Sequence, residues 1–180
     1  MKLKLLVLVL GLQTAWILGT TVMQERGLAA GTVVLLETEP VDPRDLLRGD
    51  YITLNYKIST VPLSLFSPPL TNGLPPGATV YVALQQRGAF YELASASTEI
   101  TSPVNGRVVL RGRTQAWWDE KTVHLEYGLE RYYVREGSGN PPGKITVQVA
   151  VPHSGRGQIK AVFLDGKPFT EAMREVGRLN

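Results

Sequence analysis

His124 and His153 are the two histidines of this 180-residue chain and the side chains best suited to proton transfer or metal ligation. Neither sits in a pattern that chemistry requires. There is no His-x-x-x-His spacing for zinc, and with no Cys there is neither a thiol nucleophile nor a thiolate ligand. Ser154 follows His153, yet the Gly-x-Ser-x-Gly turn that would expose a serine nucleophile is missing. Glu37, Glu39, Asp42, Asp45 and Asp50 supply enough carboxylate oxygens for a hard cation, but not at calcium-loop spacing. Local geometry explains three of them. Asp42 can cap a short helical turn beginning at Pro43, Asp45 can bond back to it, and Asp50 follows Gly49 in a turn. Gly-x-Gly fragments at 137–139 and 155–157 open no helix after a strand, so neither predicts a phosphate cradle. No cofactor or metal is expected.

Two adjacent aromatic pairs remain, Trp117-Trp118 and Tyr132-Tyr133. On a strand, neighbours point to opposite faces, so one member of each pair belongs to the core and the other to the surface. An exposed ring there could stack on a sugar or dock a partner. These four residues are the candidate binding positions.

The elements that would hold them are strands. Tyr51 to Ile58 alternates strictly, with Ile52, Leu54, Tyr56 and Ile58 on one side and Tyr51, Thr53, Asn55 and Lys57 on the other, which predicts a half-buried antiparallel strand. Arg48-Gly49-Asp50 is the turn that begins it. Thr32–Glu37, Thr79–Gln85, Phe90–Ser95, Gly106–Leu110, Thr114–Trp118, Thr122–Tyr127, Lys144–Val151 and Gln158–Leu164 read as further strands, with hairpins at 86–89 and 152–157. Pro-rich Val61–Gly77 and Gly/Pro-rich Gly137–Gly143 read as loops, and Thr170–Val176 as one or two terminal helical turns. Many short strands without long helices predict a mainly β body, an all-β sandwich or barrel-like domain of short antiparallel strands. A weak duplication is visible: a strand ending in Asn55-Tyr56 leads through a loop to one hairpin, and Glu126-Tyr127 leads through a loop to the next.

Ahead of this body, Lys2 and Lys4 precede Leu5 to Met23, an uncharged apolar run that a helix would stretch to roughly 28 Å, close to the hydrocarbon thickness of a bilayer. That length favours an uncleaved anchor over 1–24 rather than a cleavable signal peptide, whose apolar region is shorter. The basic residues on the short side predict a cytoplasmic N-terminus, with 25–180 on the far side of an inner or plasma membrane. The net charge of +3 becomes +1 without Lys2 and Lys4, because 17 basic residues then face 16 acidic ones. Such a body has no electrostatic footprint for nucleic acid.

Arg48-Gly49-Asp50-Tyr51-Ile52-Thr53-Leu54-Asn55-Tyr56 contains Gly49, Asp50, Tyr51, Leu54 and Tyr56 in the order GDYxxLxY. With Asp42 to Leu47 upstream, Tyr127 to Gly137 and Asp165-Gly166-Lys167, it resembles the bacterial GDYxxLxY-motif protein family over most of the chain. The resemblance implies a membrane-anchored envelope protein, thought of beside multi-pass membrane proteins, and it assigns no catalytic residue. The motif side chains themselves read as structural. The expected role is non-catalytic, a binding or accessory subunit for another membrane or envelope protein. The alternatives are a cell-wall polysaccharide-binding module using the exposed aromatics, and a hydrolase using His124 or His153.

Overall fold

A helix that is apolar all round has no polar face to turn toward water, and α1 (Lys2–Ala29) has no polar face between its charged ends, from Leu5 to Met23. In the computed structural model, which describes residues 2–29, 31–39, 51–70, 74–100, 106–118, 121–134 and 143–179, its segment Lys4–Met23 is long and apolar enough to cross a membrane. None of the described residues covers it: Trp16 is 73% exposed and Met23 77%. The hydroxyls of Thr14, Thr20 and Thr21 turn back to carbonyls of Leu10, Trp16 and Ile17 at 2.9–3.0 Å, so these polar groups are satisfied within the helix.

The body is mainly β, built from β1 (Thr32–Glu39), β2 (Tyr51–Thr53), β3 (Asn55–Tyr56), β4 (Thr60–Pro62), β5 (Thr79–Arg87), β6 (Phe90–Ser97), β7 (Val108–Trp118), β8 (Thr122–Glu126), β9 (Arg131–Tyr133), β10 (Ile145–Val151), β11 (Gln158–Leu164) and β12 (Lys167–Pro168), closed by α2 (Phe169–Leu179). One five-stranded sheet has the order β12-β11-β10-β1-β3 and the other β4-β8-β7-β5-β6, while β2 and β9 form a separate ladder. Every pairing between these strands is antiparallel, and among the described residues no sheet closes into a barrel.

Three expectations change. The alternation from Tyr51 to Ile58 survives as burial, with Ile52, Leu54, Tyr56 and Ile58 all in the core, but the segment is not one strand. It pairs with β9, then with β1, bends through a 3-10 turn at Lys57–Ser59, and pairs with β8 as β4. A chain that passes from one sheet to the next must change ladder partners, and periodicity reports which face is buried, not which strand lies beside it. Gly106–Leu110 and Thr114–Trp118 join as the single strand β7, because Gly112 lies within it beneath the Tyr127 ring. A Cβ at Gly112 would come within 3.0 Å of that ring, so glycine here makes room rather than a turn. The terminal helix extends over Phe169–Leu179, with Phe169 and Ala172 buried. The proposed helical turn at 42–47 lies outside the described residues, as does most of the Gly137–Gly143 loop.

The duplication extends to the ladders. Ile52-Thr53-Leu54-Asn55-Tyr56-Lys57-Ile58 has its counterpart in Val123-His124-Leu125-Glu126-Tyr127-Gly128-Leu129, and the apolar positions of both are buried. Thr53 pairs with Arg131, Ile52 with Tyr132 and Tyr51 with Tyr133; in the other half His124 pairs with Thr60, Val123 with Val61 and Thr122 with Pro62. Counted from Tyr56 and Tyr127, these are the same pairs. The hairpins agree as well: β5–β6 shifts register between Ala83 and Leu84, where Ala83 faces Ser95 and Leu84 faces Leu93. In β10–β11 the shift falls between Gln148 and Val149, facing Ala161 and Ile159, so each second strand skips one residue at the equivalent place.

The halves do not sit side by side. β1 of the first pairs with β10 of the second, and β7 of the second with β5 of the first, so each large sheet draws strands from both. At the crossing the Tyr56 hydroxyl donates to the Leu129 carbonyl at 2.8 Å, and the Tyr127 hydroxyl donates to the Ile58 carbonyl at 2.6 Å. The Leu54 amide adds a bond to the Glu130 carbonyl at 2.7 Å. Burial, reinforced by the Glu130 carboxylate, pushes both phenols well above the ordinary tyrosine range, which keeps them neutral donors.

Tyr56→Phe and Tyr127→Phe are each expected to destabilise the protein by about 1–3 kcal/mol, because each strands a buried carbonyl, as read by urea unfolding of the detergent-solubilised chain. A phenol whose pKa is raised on folding stabilises the native state fully below the unfolded value and progressively less as pH rises above it. Wild-type stability should therefore fall above about pH 10, and less steeply in either phenylalanine variant.

Candidate interaction surface

The β2–β9 ladder carries Tyr51 from the motif and Arg131, Tyr132 and Tyr133 from the second half. Tyr132 turns inward and meets Phe169 of α2 edge-on, with ring centroids 5.7 Å apart. Its neighbour Tyr133 is 72% exposed, so the pair divides between core and surface as strand alternation requires. Tyr133 and the half-buried Tyr51, directly opposite it in the ladder, meet edge-on at 6.1 Å. The Arg131 guanidinium lies 5.4 Å from the centre of the Tyr51 ring, within cation–π range. Tyr51, Arg131 and Tyr133 thus form one exposed aromatic and cationic patch, held at its base by the turn that links Tyr127 to β9. Gly128 supplies the positive φ of 78° in that turn, and the Glu130 carboxylate accepts from the Tyr127 amide at 2.5 Å.

The other sequence candidates scatter. Leu54 and Tyr56 are core residues, and Gly49 and Asp50 lie outside the described residues. Trp117 and Trp118 end β7, with Trp118 opposite Val123, but their side chains fall outside the described part. His124 is half-buried in β8 opposite Thr60. His153 is exposed in the β10–β11 hairpin and lines an open cleft with Thr32, Arg107, Val108, Val109, Val151 and Pro152. Among the described residues, no group of three or more His, Asp or Glu is placed to hold a metal ion.

Of the acidic patch, Glu37 has a role that sequence reading missed. Its carboxylate bridges Lys57, at 2.6 Å, and Lys144, tying the motif segment to the start of the β10–β11 hairpin across β1. Lys144 also sits 5.2 Å from the centre of the Phe90 ring. No local pattern links Glu37 to a lysine more than a hundred positions away. Only the β1–β10 pairing, which sets Glu37 opposite Thr146, brings them together.

Comparison with family models matches residues 13–162 to the GDYXXLXY protein family, and the chain belongs to that family. Comparisons with curated proteins and with solved structures gave no match.

Hydrogen bonds from Lys144 and then Lys57 hold the Glu37 carboxyl below its ordinary range. A carboxyl depressed on folding stabilises the native state above its unfolded pKa, and that contribution disappears as pH falls through the folded value. Glu37→Gln should therefore lower the melting temperature at pH 7, and the gap to wild type should close below about pH 4, as followed by thermal melts across an acid series.

Proposed function

We propose that this protein is a membrane-anchored envelope protein, a non-catalytic accessory subunit that binds another membrane or envelope protein. In this reading α1 is an uncleaved anchor in the inner or plasma membrane, Lys2 and Lys4 hold its start in the cytoplasm, and the β body lies on the other side. The observation that carries it is the patch of Tyr51, Arg131 and Tyr133. Tyrosine and arginine are the residue types over-represented at binding hot spots, because they offer broad apolar contact together with polar ends at modest entropic cost. The patch stands on a short ladder stapled to the core through Tyr132 and Phe169, which holds it in a fixed shape before any partner arrives. The bare apolar surface of α1 adds a second route of contact within the bilayer.

A mild-detergent pull-down of the full-length chain from native membranes tests this reading. A specific membrane-protein partner should be retained by wild type and lost, by ten-fold or more, in the Tyr51→Ala/Tyr133→Ala variant, since paired hot-spot truncations commonly cost about 2 kcal/mol or more. A partner retained unchanged by that variant would refute the patch as the contact. Exposed Tyr133 also favours a second reading, stacking on a cell-wall polysaccharide. Retention on immobilised glycan that disappears with Tyr133→Ala, without any protein partner, would establish that reading instead.

A further inference from the structure

The cleft beside His153 lies where the chain leaves α1. Helix α1 ends at Ala29 and β1 begins at Thr32, which itself lines the cleft. Between them Gly31 runs so close to Val151 and Pro152 that a Cβ there would lie 3.0–3.1 Å from their backbone atoms. The opposite wall is the start of β7, and the two walls are bonded together. The Arg111 amide donates to the Gly155 carbonyl at 2.8 Å, and the Gly155 amide donates to the Pro152 carbonyl at 2.9 Å. The floor is apolar, formed by Val108, Val109, Val151 and Pro152, while Arg107 and His153 stand exposed at the rim; no lining residue is acidic.

Distance along the helix sets the depth of this cleft. From Met23, the end of the membrane-crossing segment, to Ala29 is six residues, or roughly 9 Å of helix. The headgroup layer of one leaflet is about 5–8 Å thick. The base of β1 therefore comes to the outer edge of the headgroup layer, from which a long arginine side chain reaches back to the lipid phosphates. An arginine fork suits a phosphate diester, and valine and proline suit the glycerol and upper acyl carbons beneath it.

We propose that this juxtamembrane cleft binds the headgroup of an anionic phospholipid, with Arg107 and His153 on the phosphate, and so fixes the β body against the bilayer surface. The proposal rests on the reading of α1 as an anchor. It adds a lipid contact distinct from the Tyr51–Arg131–Tyr133 patch, so the patch remains free for a partner.

Because the chain has no native Cys, Ser154→Cys in the exposed hairpin places a single environment-sensitive fluorophore next to the cleft. The full-length protein is reconstituted in vesicles of phosphatidylcholine alone or mixed with phosphatidylglycerol, together with headgroup-nitroxide lipid as quencher. Resistance to alkaline extraction reports the anchor independently of the cleft. The expected result is an extraction-resistant protein whose quenching rises several-fold with phosphatidylglycerol. Arg107→Gln or His153→Gln should raise the phosphatidylglycerol fraction needed for half-maximal quenching about five-fold. Quenching that is independent of lipid charge, or unchanged in the Arg107→Gln/His153→Gln variant, would overturn the cleft proposal and leave the anchor standing. Loss of the protein on alkaline extraction would overturn both. If inorganic phosphate added to the detergent-solubilised protein reproduced the fluorescence change, a soluble anion and not a lipid would be the ligand.

Discussion

Two buried hydrogen bonds, Tyr56 to the Leu129 carbonyl and Tyr127 to the Ile58 carbonyl, join the halves of the chain where they cross. Each tyrosine satisfies a main-chain acceptor two residues beyond the other tyrosine, so neither bond can form until both motif segments are in place. A buried carbonyl left without a donor is costly, and the 3-10 turn after Tyr56 and the Gly128 turn after Tyr127 would each expose one at the crossing. The motif residues Leu54 and Tyr56 therefore serve the joint. They lie in the core, and Tyr51 alone among the described motif residues reaches the surface.

From that joint the arrangement of the sheets follows. Because each half contributes its first long strand to the hairpin of the other, neither half can complete a sheet alone. Glu37 reinforces the exchange by bridging Lys57 of one half and Lys144 of the other. Two surfaces have chemical character, one beside the crossing and one at the root of α1. The first is the aromatic and cationic patch on the β2–β9 ladder, and the second is the basic-rimmed cleft.

Faces were legible in the sequence, and partners were not. The alternation at Ile52, Leu54, Tyr56 and Ile58 located the buried face correctly, and strand geometry divided Tyr132 from Tyr133. The apolar run at Leu5–Met23 located α1, and the GDYxxLxY residues pointed to the family that residues 13–162 match. What escaped was long-range. The Tyr51–Arg131 contact, the Glu37–Lys144 pair and the strand exchange all depend on ladder register between segments far apart in sequence. The duplication was legible at Asn55-Tyr56 and Glu126-Tyr127, and it runs further than those pairs: Val123-His124-Leu125-Glu126-Tyr127-Gly128-Leu129 repeats the apolar-x-Leu-x-Tyr-x-apolar pattern of Ile52 to Ile58. That repeat marks equivalent positions in the two halves, but it carries no sign of the exchange of strands between them.

Because each large sheet draws strands from both halves, the two halves must form one cooperative unit. Native-state hydrogen exchange of the full-length protein under increasing mild denaturant measures this directly, since it resolves which amides open together. Slow-exchanging amides of β1 and β5 from the first half, and of β7 and β10 from the second, should share a single opening free energy equal to that of global unfolding. Opening of residues 32–97 at a free energy clearly different from that of 108–164, with protection retained in the other half, would contradict it.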